Sequence, residues 1–177
     1  MSAVLASPDS RAHVRAHSLL ASIYSHQERY EEALAHAQAA IDLNPSDATA
    51  LWWRGSAAMC LGRIEEAMAF LEMARRFEPR PSAGQGLQLA IAYYIAGRYT
   101  ESLLQADSVL SVSPNHGYSH AMRAAALARM GKSEDARAAA ENVRRVDPLF
   151  DPDNFGARFA DRKYTEQLRE GLRMAGL

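Results

Sequence analysis

Four prolines, Pro45, Pro79, Pro114 and Pro148, follow one another at intervals of 34, 35 and 34 residues, and this periodicity constrains the fold more than any other feature of the chain. Each closes a similar phrase: Asp42-Leu-Asn-Pro45, Arg76-Phe-Glu-Pro79, Ser111-Val-Ser-Pro114 and Val146-Asp-Pro148. Proline lacks the amide donor that a helix needs and restricts the residue before it, so the spacing predicts four helices that stop in register. A second series lies inside the first: Glu28-Arg-Tyr-Glu-Glu-Ala33, Gly62-Arg-Ile-Glu-Glu-Ala67, Gly97-Arg-Tyr-Thr-Glu-Ser102 and Gly131-Lys-Ser-Glu-Asp-Ala136. Glycine permits the left-handed conformation that closes a helix, and acidic residues favour the positive end of the next one. Each repeat therefore reads as two antiparallel helices. The first helices are expected at about 10–26, 47–61, 83–96 and 117–130, the second at about 30–43, 64–77, 99–112 and 133–146.

Small residues recur where two helices must approach. Ala33, Ala67, Ser102 and Ala136 hold one slot of the second helices, with Ala40, Ala74, Val109 and Val143 two turns later on the same face. On the first helices Ala21, Gly55, Ala90 and Ala124 hold the facing slot, and Tyr24 and Tyr93 follow three residues on. The repeat core is read as Ala21, Tyr24, Ala33, Gly55, Ala67, Ala90, Tyr93, Ala124 and Ala136. A period of about 34 residues with these spacings resembles the tetratricopeptide-repeat (TPR) family. Ala90-Ile-Ala-Tyr-Tyr-Ile-Ala-Gly-Arg-Tyr99 and Arg29-Tyr-Glu-Glu-Ala-Leu34 carry the likeness most closely. The resemblance covers about residues 14–148 and implies an all-α, right-handed α-solenoid of antiparallel helix pairs, a TPR superhelix.

On that basis the chain divides into an N-terminal tail (1–9), four repeats over 10–148 (about 14–47, 48–82, 83–116 and 117–148) and a C-terminal capping segment of helices (149–177). A cap is expected because the last repeat of a solenoid has a face with no successor, and Tyr164, Leu168 and Leu172 form an apolar helical stripe there. Two departures stand out. Arg54 and Arg123 occupy, in the second and fourth repeats, the slot where Leu20 and Leu89 supply the usual core leucine in the first and third, which suggests rotated helices or arginine stems reaching outward. One extra residue near Arg80-Pro-Ser82 predicts a kink. The ending, Glu166 to Leu177, resembles the close of repeat regions appended to bacterial nucleotide cyclases and winged-helix regulators.

In the family, first helices line a concave groove that grips peptides. The helix register places a binding row at Trp52, Ser56, Met59, Leu87, Gln88, Ile91, Tyr94, Tyr118 and Met122. Aromatic and methionine side chains of this kind dominate binding energy at interfaces. The same residues would also suit packing against neighbouring first helices, against residues 149–177 folded inward, or against a second copy. Adjacent helical residues point apart, so one of Trp52 and Trp53 belongs to the core and the other to the groove or rim. The lysine, asparagine and arginine clamp that some TPR domains use for a C-terminal carboxylate is absent. Ser18, Ser22, Trp53, Gly84 and Gln88 hold those slots.

Other chemistry finds little support. The formal charge is −1, from 20 basic and 21 acidic residues, which leaves no electrostatic footprint for nucleic acid or a membrane surface. His13 with His17, and His116 with His120, are spaced to share a helix face, but two ligands are too few for a metal. Glu31-Glu32 and Glu65-Glu66 recur with the repeat and read as helix-start residues. Cys60, the single cysteine, lacks a nucleophile signature and suits a reducing, cytoplasmic setting. The expectation is a non-enzymatic adaptor with no cofactor and no metal, binding a protein or peptide, with a homodimer through the apolar face as one possibility. A regulatory domain of a larger signalling enzyme or transcription regulator is the rival reading.

Overall fold

The computed structural model of the chain describes residues 8–177. The expected tail therefore lies outside the described residues up to Ser7, while Pro8 and Asp9 already belong to the first helix. Among the described residues the secondary structure is nine α-helices and no strand. Two compact units divide between Arg80 and Pro81, at the extra residue seen in the sequence.

The first unit consists of two helical hairpins, α1 (Pro8–His26) with α2 (Tyr30–Leu43) and α3 (Ala48–Cys60) with α4 (Ile64–Phe77). Within it α3 packs against both α1 and α2. The second unit has the hairpins α5 (Ala83–Ile95) with α6 (Tyr99–Val112) and α7 (Gly117–Arg129) with α8 (Ser133–Val146), followed by a lone helix α9 (Arg162–Ala175). Its start is fixed by a capping box, in which Ser82 accepts from the Gln85 amide and the Gln85 side chain accepts from the Ser82 amide.

All four hairpin turns share one device. The amide two residues beyond the last turn of the first helix reaches back to a carbonyl: Arg29 to Tyr24 (2.9 Å), Arg63 to Ala58 (2.9 Å), Arg98 to Tyr93 (2.8 Å) and Lys132 to Leu127 (3.0 Å). This is the six-to-one bond of a Schellman turn, which needs a left-handed residue just before the donor. Gly62, Gly97 and Gly131 supply it with φ of 80°, 76° and 76°, and in the first repeat Glu28 does so at φ 60° despite its side chain. An L-residue with a Cβ pays about 1 kcal/mol or more for that conformation.

The small-residue slots are filled as the periodicity demands. Ala21, Ala33, Ala67, Ala90, Ala124 and Ala136 are fully buried. A Cβ on Gly55 would meet Leu71 Cγ at 2.7 Å, so only glycine lets α3 and α4 come this close. Ser102 satisfies its buried hydroxyl by donating to Ala90 O at 2.8 Å. Tyr93 is buried, but Tyr24 is only half-buried and stacks on His36. The arginines in leucine slots are neither rotated out nor free. Arg54 pairs with Glu66 at 2.7 Å and lies over the Phe70 ring, and Arg123 pairs with Asp107 at 2.8 Å. Each head reaches a carboxylate on a packed second helix, Glu66 of α4 or Asp107 of α6.

The capping segment departs from the expectation of several helices. Residues 148–161 run through successive turns, and only α9 is helical. Pro148 and Pro152 explain this, since each removes an amide donor.

Candidate functional site

In the first unit, an open hollow of about 520 Å³ lies between α1 and α3. Its lining includes Arg15, Leu19, Ser22, Asp47, Thr49 and Trp53. Leu19 is 61% exposed, and Ile23, one helical turn further along α1, is 41% exposed. Leu19 and the partly exposed Trp53 give the hollow an apolar side with no cover among the described residues, and Ile23 continues the Leu19 face of α1 beyond the lining. Trp53 is held from behind by the His26 ring at 5.6 Å, and His26 in turn is anchored through Nδ1 to Ser22 O at 2.8 Å. Asp47 is engaged at the start of α3, where its Oδ1 accepts from the Ala50 amide at 2.7 Å and from Ser18 Oγ at 3.4 Å.

The second unit treats the corresponding helices differently. There α9 lies mainly along α7 and also touches α8 and α5. A further repeat would rest its first helix chiefly on the preceding second helix, as α3 rests on α2; α9 instead crosses the first helices. Its apolar stripe, Leu168, Leu172 and Ala175, is fully buried. Tyr94 Oη donates to Gln167 O at 3.2 Å, and Gln167 Nε2 donates to the carbonyls of Tyr94 (3.3 Å) and Ile95 (3.2 Å) at the end of α5. Of the two carbonyls, that of Tyr94 also accepts from the Gly97 amide at 3.0 Å, so Gln167 adds a second donor there. Glu170 pairs with Arg129 at 3.1 Å. The fit is close at Gly171, where a Cβ would stand 1.9 Å from Tyr94 Oη and 3.2 Å from Ala125 Cβ. Burial pushes the Tyr94 phenol well above its ordinary pKa, so it stays a neutral donor. Over the start of α7, Tyr118 stacks on Phe155 at 5.5 Å and meets Phe150 edge-on at 5.7 Å.

The residues chosen from the sequence fall unevenly on this geometry. Trp52, Ser56, Met59, Ile91, Tyr94 and Met122 are buried, Leu87 and Gln88 are partly exposed, and Tyr118 is exposed at one edge but held in the aromatic cluster. The row is thus not an open line of anchors. Of the α3 pair, Trp53 lines the hollow and Trp52 is the core member. For Tyr94, the competing expectation of a tail folded inward describes the observed contact. Sequence reasoning misses Leu19 and Ile23: Leu19 stands in the repeat slot of Trp53, Gln88 and Met122, and Ile23 in that of Ala57, Ala92 and Ala126, which are fully buried. It also misses Gly171, although a glycine inside an amphipathic helix points to a close approach.

The histidine pairs differ too. His17 meets His36 of α2, Nδ1 to Nδ1 at 3.0 Å, instead of sharing a site with His13. His116 binds Ser119, and His120 binds Pro114 O. Among the described residues, no group of three or more His, Cys, Asp or Glu converges as a metal site, and no helix is long and apolar enough to cross a membrane.

A sequence model described as "Tetratricopeptide repeat" matches residues 2–48 and 19–83, and a second with the same description matches residues 117–142. No curated protein sequence matches the chain. Similar solved structures include YrrB, described as a TPR protein with an unusual peptide-binding site, at 22% identity and TM-score 0.66, covering 88% of this chain and 80% of that one. MamA from Desulfovibrio magneticus RS-1 is similar at 14% identity and TM-score 0.71, covering 93% of each chain. TTC0263, a thermophilic TPR protein of Thermus thermophilus, is similar at 19% identity and TM-score 0.64, covering 92% of each chain. At these identities the likeness is one of fold.

Proposed function

Starting from the fact that the chain belongs to the tetratricopeptide-repeat family, we propose that it is a non-catalytic protein-binding module whose partner segment lies in the hollow between α1 and α3. The observation that carries this reading is the exposed Leu19 beside the partly exposed Trp53 in the lining of the open hollow. Exposed apolar surface is ordinary when scattered, but contiguous and concave it marks an interaction site. The residues needed for it come from both helices, so the site exists only once the first unit is folded. The peptide-binding site named for YrrB is compatible with such a role and adds no residue to it. Covalent chemistry has no constellation to perform it in the hollow, which presents an arginine, a capping aspartate, hydroxyls and apolar groups.

A capture experiment tests the reading. The chain is immobilised and exposed to native cell extract, in parallel with Leu19→Glu and Trp53→Ala. Bound proteins are expected to be lost from both variants while far-ultraviolet circular dichroism stays helical. Equal capture by all three forms contradicts the assignment of the hollow.

A further inference from the structure

The charges around the hollow specify what kind of segment fits it, given the binding role proposed above. Arg15 borders the hollow, and Arg11 stands one helical turn before it on the same face of α1. Both are exposed, and neither makes an ion pair or hydrogen bond among the described residues. Six arginines elsewhere are paired: Arg29, Arg54, Arg63, Arg98, Arg123 and Arg129 each have a carboxylate partner. The one carboxylate lining the hollow, Asp47, is turned to the amide of Ala50 and the hydroxyl of Ser18. Its charge sits against the positive end of α3 and does not answer the arginines.

The second unit shows how such an arginine is answered when an occupant is present. Arg129, on α7, receives Glu170 from α9, while Leu168 and Leu172 of the same helix bury their side chains. An apolar stripe with a carboxylate beside it is therefore a chemistry that this repeat surface already accommodates.

We propose that the segment bound by the first unit is an acidic amphipathic peptide. Its aliphatic or aromatic side chains lie over Leu19 and Trp53, and its carboxylates meet Arg15 and Arg11. Arg15 and Leu19 are four residues apart on α1, about 6 Å along the axis. A helical ligand then carries its acidic residue about one turn from its apolar anchor, and an extended ligand about two residues away. The sequence of α9 is itself a poor match, with four basic and two acidic side chains, so the first unit discriminates against the chain's own tail.

The test is selection from a random peptide library displayed on phage, against the intact chain, an Arg11→Glu/Arg15→Glu variant and a Leu19→Glu/Trp53→Ala variant. Both arginines are exposed, so charge reversal leaves the fold in place, and circular dichroism verifies it. Wild type is expected to enrich peptides with Asp or Glu about one turn from Leu, Ile or Phe. A selected peptide should bind the charge-reversed variant about tenfold more weakly or worse, and its affinity for wild type should fall as salt rises. Enrichment of neutral or basic peptides that still require Leu19 and Trp53 overturns the charge assignment and leaves the hollow standing. Absence of any peptide dependent on Leu19 and Trp53 overturns the hollow, and the charge assignment with it.

Discussion

The two units obey one repeat rule and end in opposite states. In the first, the α1 and α3 faces bound a hollow with exposed Leu19; in the second, the α5 and α7 faces carry α9, with Leu168 and Leu172 out of solvent. The side chains account for the difference. Helix α7 presents Ala121, Ala125 and Ala128, all buried, and Gly171 opposite them lets a whole helix approach. Helix α1 instead offers Arg15, Leu19 and Ser22 at the hollow, and Arg15 and Leu19 stay exposed. The repeat consensus fixes how hairpins form, and the residues it leaves unspecified decide whether a face is filled.

The sharpest way to break this comparison is a matched pair of truncations. Leu172→Ala removes a fully buried side chain and should cost about 2–5 kcal/mol. Leu19→Ala, at 61% exposure, should change stability by no more than about 0.5 kcal/mol. Urea denaturation of both variants gives the two values, and similar costs would mean that the faces are not in different states.

Next in size is Gly171→Val. The added side chain collides with Tyr94 and Ala125, and overpacking of this kind costs about 1–3 kcal/mol. The same cycle sharpens the contact: Gly171→Ala should be better tolerated in a Tyr94→Phe background, because the hydroxyl 1.9 Å from the new Cβ is gone. Strict additivity would show that α9 does not rest on Tyr94.

The smallest effect concerns the turns, where the first repeat is the exception. Glu28→Gly should stabilise the chain by about 1 kcal/mol, since Glu28 holds a left-handed φ of 60°. Gly97→Ala should destabilise by a similar amount at its φ of 76°. Thermal unfolding of the two variants checks the opposite signs.

Helix positions were legible because punctuation is local: the prolines, the turn glycines and the acidic first turns place the second helices at 30–43, 64–77, 99–112 and 133–146, where they are observed. The close-packed slots were legible as well, because Gly55 and its alanine counterparts admit no other reading at that spacing. The binding face was less so. Choosing between Trp52 and Trp53 requires the rotation of α3 about its axis to within one residue, and that rotation is set by packing against other helices, not by the repeat itself. The seat of α9 depends on contacts between residues about 70 positions apart, such as Tyr94 with Gln167, which no local pattern encodes. The run 148–161 carries no apolar periodicity of the α9 kind: Phe155 and Phe159 belong to aromatic packing around its turns.

Hydroxyl-radical footprinting of the intact chain at neutral pH measures both faces at once. Leu19, Ile23 and Trp53 are predicted to be oxidised readily, with Tyr94, Leu168 and Leu172 protected. Labelling of Tyr94 and Leu172 as fast as Leu19 would show that α9 does not occupy the second unit, and protection of Leu19 and Trp53 would show that the first unit has no open hollow.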